Sequence, residues 1–237
     1  MTVIEKEGQI PFFCKGKGVD SVSLTLAFQS LPLLLNATIM TILLAIVSML
    51  IALVIGFFTA LARISKIKIL KGIARFYVSI FRGTPLLVQI FVIYYGLPQI
   101  DIVLSPIPSG IIALSLNAGA YLSESFRAAI ISVDIGQWEA AESLGMTYGQ
   151  ALRRIILPQS IRIAIPTLSN TYIVLIKDTS LVSVITVTEL LQMSSLIIAK
   201  TFEPLTIYLV AAAIYWVVIT GFTMLLDQLE KRTSRHI

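Results

Sequence analysis

Cysteine and histidine are all but missing: Cys14 and His236 are single copies. One cysteine excludes an internal disulfide and a cysteine-rich metal site. His236 sits at the end of the sequence, away from any cluster that could make it a ligand. No His/Cys/carboxylate constellation supports a membrane enzyme, and no metal or cofactor is expected. Charge is scarce too. Lys, Arg, Asp and Glu make up 13% of the chain, where soluble domains carry roughly 25%.

What is present is apolar: 57% of the residues are hydrophobic and the mean hydropathy is +0.90. A soluble chain of this composition would need a core larger than 237 residues enclose. No charge appears over 21–62, 83–100 or 205–226. Each run reaches or approaches the ~18–20 residues of a membrane-spanning helix. The alternation of a membrane barrel is absent. The fold class is all-α integral membrane.

Five spans are expected. The first lies within Leu31–Ala62, either tilted or entered through an interfacial segment near Ser21. The others cover about Ile73–Tyr95, Pro108–Ile131, Ile163–Leu190 and Pro204–Leu226. Residues 1–30 form an extracytoplasmic lead-in without the pattern of a cleavable signal peptide; residues 31–237 form the transmembrane domain. Arg63, Lys66, Lys68, Lys71 and Arg75 crowd the first connection, whereas the second has only Asp101. The third carries Arg127, Arg153, Arg154 and Arg162, and the tail Lys231, Arg232 and Arg235. Basic connections stay inside. This puts the N-terminus outside and the C-terminus in the cytoplasm. The net charge of +5 is spread over loops, and no nucleic acid partner is expected.

One segment, GQWEAAESLGMTYGQALRRIILP (136–158), is polar among greasy neighbours. It reads as two short helices over about 134–160. Asp134 with Gln137 caps the first and Thr147 with Gln150 the second. Gly145 fits a left-handed helix end, and Pro158 is expected to break the second helix. Ala140, Ala141 and Gly145 leave little bulk, so a partner could approach closely. A docking element and an amphipathic helix on the membrane surface both fit.

The spacing of Glu139-Ala140-Ala141, Gly145, Ile155 and Leu157-Pro158 resembles the EAA loop of ABC importer permeases. IARFYVSIFRGTPLLVQIFVIYYGLP, LSLNAGAYLSESFRAAI and LIKDTSLVSVITVTEL are similar to polar amino acid uptake permeases. SPIPSG and GQWEAA bring the resemblance closest to permeases of L-cystine systems, ahead of those for arginine, glutamine or histidine. The resemblance implies the type I permease fold in a bacterial cytoplasmic membrane. It implies an ABC ATPase dimer, a second permease subunit, an extracytoplasmic solute-binding protein, surrounding lipid and an amino acid substrate. Glu139, Ala140, Ala141 and Gly145 would couple to the ATPase. The chain has no GxxxxGK[ST] loop, so ATP is expected on another polypeptide, and the permease itself is not an enzyme. A secondary transporter or channel would show paired inverted repeats, and no internal repeat is found.

Charges inside spans are costly and face a bundle or cavity. Glu124 and Asp178 are the candidate anionic contacts for a substrate ammonium, with Thr84 and Asn117 as polar contacts. The resemblance places matching positions on the substrate cavity. Glu124 equally pairs with Arg127 one turn on, and Lys177 with Asp178. Arg82 is expected to snorkel to phosphates, Glu189 to be an interfacial charge, and Gly83 with Pro85 to kink the second span.

The orientation predicts that cysteines at Ser65 and Ser143 react only from the cytoplasmic side, and one at Ser105 only from outside. Labelling of Ser143→Cys by an impermeant reagent in intact cells would reverse the topology.

Overall fold

The structure, a computed structural model, describes residues 23–234. The lead-in up to residue 22, Cys14 and His236 lie outside the described residues. The described chain is helical: α1 (Leu24–Ile64), α2 (Lys68–Gly83), α3 (Leu86–Phe91), α4 (Pro106–Ile131), α5 (Ile135–Ser143), α6 (Tyr148–Ala151), α7 (Leu157–Asp178), α8 (Leu190–Thr201) and α9 (Pro204–Ser234).

Two of these helices, over Leu24–Ile64 and Pro204–Arg232, are long and apolar enough to cross a membrane alone, and up to four crossings result if each bent pair counts as one. The third expected span is α4. It is studded with Ser109, Ser115, Asn117, Gly119 and Ser123, all of which are buried against the protein. Its 26 residues reach about 39 Å at 1.5 Å each, more than the ~30 Å hydrocarbon core. The first expected span is one unbroken helix of 41 residues. Ser23 caps it by accepting from the Leu26 N–H, and the Ser23 N–H is held by Thr206 Oγ1 of α9.

The core sits where α1 crosses α4. Ala45, Ser48, Ala52, Gly56 and Ala60 of α1 are buried. In lipid, apolar side chains gain little by avoiding lipid tails, so association depends on close backbone approach through small residues. A Cβ built on Gly56 would stand 2.7 Å from Leu122 Cβ, and one on Gly119 would stand 2.9 Å from Ile55 Cγ2 and 3.1 Å from the Tyr77 hydroxyl. The opposite face of α1 leaves Ile39, Leu43, Leu50, Val54 and Phe58 exposed, a surface made for lipid.

The second expected span breaks at Gly83–Pro85, where a kink was expected, and more sharply than a kink. Its two halves meet at 107°. Thr84 and Pro85 both take extended conformations, with ψ of 147° and 137°. A residue before proline is pushed out of the α region, and Pro85 has no N–H to give to Phe81 O. The fourth expected span also bends, by 48°, between the segments Tyr148–Ile185 and Leu190–Thr201.

Pro158 does not break the helix before it, contrary to expectation. A π-helical turn over Leu152–Ile156 runs into α7, with the Leu157 N–H on Leu152 O. This wider turn takes the proline at its downstream edge, so the chain continues through it. The cap of α5 differs as well. Asp134 accepts from the Gly136 N–H, while Gln137 accepts from Gln159 Nε2 instead of closing a capping box. The box at Thr147 and Gln150 is complete.

Overpacking a tight core costs roughly 1–3 kcal/mol. Gly56→Val is therefore expected to lower the membrane level and thermal midpoint of the protein. Gly221→Val, where a Cβ meets nothing within 4 Å, is the control and should change the midpoint far less. Equal effects in a detergent thermal-shift assay would show that the crossing is not tight.

Candidate functional site

The break at Thr84–Pro85 frees carbonyls that lipid cannot satisfy. The protein repairs them with side chains. Thr84 Oγ1 donates to Ile80 O at 2.8 Å. Gln89 Nε2 donates to Phe81 O at 2.9 Å, to Thr84 O at 3.1 Å and to Thr84 Oγ1 at 2.9 Å. Asn117 Nδ2, from α4, donates to Phe81 O at 3.2 Å and to Gln89 Oε1 at 3.1 Å. Two amides thus replace the donor that Pro85 lacks.

A cavity of about 440 Å³ opens beside this repaired break. Thr84, Pro85, Asn117, Tyr121, Asn170 and Asp178 are among its lining residues. Thr84, Asn117 and Asp178, expected as site residues on sequence grounds, therefore meet on one wall system. Asp178 is half-buried and has no cation within ion-pair distance among the described residues, Lys177 included. A second groove of about 470 Å³ lies between α1, α7 and α9. It is lined by Ile46, Met49, Leu50, Leu53, Ile165 and other residues without a charge, and cannot pair with a zwitterion.

Glu124 is not among the lining residues of the cavity. Tyr121, one turn earlier on α4, occupies the wall. Glu124 Oε1 lies 2.8 Å from Arg63 Nη1 and accepts from Arg82 Nη1 at 2.9 Å; Oε2 accepts from Arg127 Nε at 3.1 Å. The Arg63 contact is short but badly angled, and Arg63 Nε and Nη1 make no hydrogen bond. Pairing with Arg127 was expected; the convergence of Arg63 and Arg82 was not. Arg82 does not snorkel away. Its Cζ stands 5.3 Å from the centre of the Tyr121 ring.

Glu189 corrects another expectation, since it is fully buried and not interfacial. Its carboxylate caps α8 by accepting from the Gln192 N–H at 2.8 Å and takes the Tyr215 hydroxyl at 2.9 Å. The gap between the two bent halves of that span needs a buried cap, and Glu189 is placed to supply it.

The polar segment folds as the two short helices α5 and α6. Gly145 has φ +73°. Its N–H bonds Glu142 O, and the Met146 N–H bonds Ala141 O, which makes a Schellman end. Ala141 is fully buried and seats α5 on its own chain. Glu139, Ala140 and Gly145 remain exposed, and Leu144 at the tip is 78% exposed. Trp138 stacks on Tyr148 with ring centres 5.1 Å apart, and Lys66 Nζ lies 5.9 Å from the centre of the Tyr148 ring. Trp138 packs against the buried Ile130, Val133 and Ile156, as do Leu61 and Ile64 of α1. Among the described residues no group of His, Cys, Asp and Glu is placed to hold a metal.

Gln89, Tyr121, Asn170 and Thr171 were missed in the sequence. Asn170 and Thr171 form a polar pair inside an apolar span, and Gln89 is the lone amide in LLVQIF; both are signals that sequence can give. Tyr121 carries none.

The family profile described as binding-protein-dependent transport system inner membrane component matches residues 52–235. The L-cystine transport system permease protein TcyB of Bacillus subtilis is 46% identical over 87% of this chain and 88% of its own. The probable amino-acid ABC transporter permease protein YckA of the same species is 44% identical over 90% and 94%. Other relatives are named for nopaline, glutamine and arginine transport. A crystal structure of an amino acid ABC transporter with histidines superposes at TM-score 0.85, with 39% identity over 90% of this chain and 99% of that one.

Removing Glu124 would leave three guanidiniums without their shared carboxylate. Glu124 is 25%, Arg127 35% and Arg82 41% exposed, so solvent screens these pairs and the loss falls below the roughly 3–5 kcal/mol of a fully buried pair. Glu124→Gln is expected to lower the thermal midpoint clearly, and Asp178→Asn, which forfeits no ion pair, to leave it near wild type. Equal midpoints for both variants would contradict the cluster's structural weight.

Proposed function

The chain belongs to the family of binding-protein-dependent transport system inner membrane components and is the permease of an amino acid ABC transporter with the type I fold; we propose that its substrate is L-cystine. The observation that carries the reading is the cavity beside the Thr84–Pro85 break. Its wall combines hydroxyl, amide and carboxylate groups in an otherwise apolar bundle. An amino acid needs an anion for its ammonium and polar partners for the rest of its head. Asp178 is the proposed ammonium contact, and Thr84 and Asn117 the polar contacts. The identity with an L-cystine permease supports this substrate; arginine, glutamine and histidine are the competing outcomes.

The proposal extends to the membrane arrangement. The chain crosses a bacterial cytoplasmic membrane five times, with α5 and α6 inside. Two permease subunits, two ATPase subunits and an extracytoplasmic binding protein make the working complex. Glu139, Ala140, Gly145 and the exposed Leu144 tip dock on the ATPase, with Ala141 seating the helix beneath them. ATP hydrolysis on that partner moves α5, and the Ile130–Val133–Ile156 cluster, against which Trp138, Leu61 and Ile64 all pack, carries the movement to α1.

Two measurements test this. Substrate-dependent ATP hydrolysis by the reconstituted complex should be stimulated by L-cystine above arginine, glutamine or histidine; a different winner replaces the substrate. Gly145→Asp puts a side chain at a left-handed position and strains it by roughly 1–2 kcal/mol. It should leave the permease in the membrane and abolish ATPase co-purification or stimulated hydrolysis. Normal stimulation would remove α5 from the docking role.

A further inference from the structure

Next to the cavity-wall residue Tyr121 the bundle holds more positive charge than the described residues neutralise, and none of the arginines involved is itself among the lining residues. Arg63, Arg82 and Arg127 share the Glu124 carboxylate, and none pairs with a second carboxylate among the described residues. Arg63 is largely buried, with Nε lacking a partner. Arg82 is different. Its side chain is 41% exposed, it uses Nη1 on Glu124, and it lies against Tyr121, which lines the cavity. A guanidinium has five N–H donors in a fixed fork, so most of those on Arg82 are left for a ligand beside Tyr121. An excess of cation in membrane surroundings is costly until an anion arrives. Asp178, the one acid on the cavity wall among the described residues, would repel that anion from its own part of the wall.

We propose that Arg82 receives a carboxylate of the transported amino acid on the Tyr121 side of the cavity, with Glu124 as the positioning residue that holds Arg82 against Tyr121. This rests on the amino acid reading above and gives the cavity a polarity: ammonium toward Asp178, carboxylate toward Arg82. It also reassigns Glu124, which acts through Arg82 and does not itself meet the ammonium. A lipid phosphate offers the same chemistry as a carboxylate, and the two sources separate by experiment.

The complex of permease and ATPase is placed in nanodiscs of phosphatidylcholine alone or with phosphatidylglycerol. Equilibrium binding is measured without the binding protein for L-cystine against cystamine, L-arginine against agmatine and L-histidine against histamine. Each pair differs by loss of carboxylate. The wild-type complex should prefer the acid, and Arg82→Gln should erase that preference, a loss on the order of ten- to hundredfold for one charge-assisted contact. Arg82→Lys should restore part of it. Glu124→Gln should weaken binding of the acid far more than binding of the amine. If arginine or histidine wins while Arg82→Gln still erases the preference, the cystine reading falls and this one stands. Retention of the preference in Arg82→Gln overturns the proposal. So does a preference that vanishes in wild type whenever phosphatidylglycerol is present, because Arg82 then serves lipid headgroups. Absence of binding by any of the amino acids overturns both readings.

Discussion

A helix that breaks in apolar surroundings must find its own hydrogen-bond partners, and at Thr84–Pro85 those partners are the side-chain amides of Gln89 and Asn117. Pro85 removes the donor for Phe81 O, and the extended pair Thr84–Pro85 turns the chain through 107°. An unsatisfied carbonyl there would cost several kcal/mol. Asn117 reaches the break because α4 lies close enough, and α4 stays close because Gly56 and Gly119 let it approach α1 and Tyr77. The Tyr77 hydroxyl donates to Leu116 O at 2.6 Å, adding a second tie between α2 and α4. The cavity is the space that this bent, repaired segment leaves against α4 and α7. Break, close crossing and cavity are one construction.

Electrostatics then divide the construction into parts. Glu124 gathers a guanidinium from each of α1, α2 and α4, so it ties the three helices together. Asp178 lines the cavity and has no cation within ion-pair distance among the described residues. Glu189 is handled in a third way: a buried carboxylate satisfied by a helix start and a tyrosine hydroxyl. Arg63 sits three residues before Lys66, which lies over Tyr148 of the α5–α6 segment. The cluster beside the cavity and the proposed docking element therefore share the C-terminal end of α1.

Much of this was legible in the sequence, for a physical reason. Long charge-free runs such as 21–62 leave few options besides a membrane helix, and Gly145 in a helix-ending context declares its left-handed conformation. Thr84, Asn117 and Asp178 stood out because polar groups in apolar runs need a purpose. What was not legible depends on contacts between distant segments. The sign and partners of Glu124 follow from Arg63 and Arg82, 61 and 42 positions away in the chain. The burial of Glu189 follows from Tyr215 on another helix. Pro158 looked like a stop, and only the π-helical turn before it shows how the helix runs on. For α4 the span itself was legible, at Pro108–Ile131, and what was not is that its polar residues Ser109, Ser115, Asn117 and Ser123 face protein.

The most direct measurement is a cryo-EM map of the assembled transporter with bound amino acid. Density is expected beside the Thr84–Pro85 break, touching Asn117 and Asp178 and reaching toward Tyr121. Density in the apolar groove between α1, α7 and α9, with the cavity at the break empty, would contradict it.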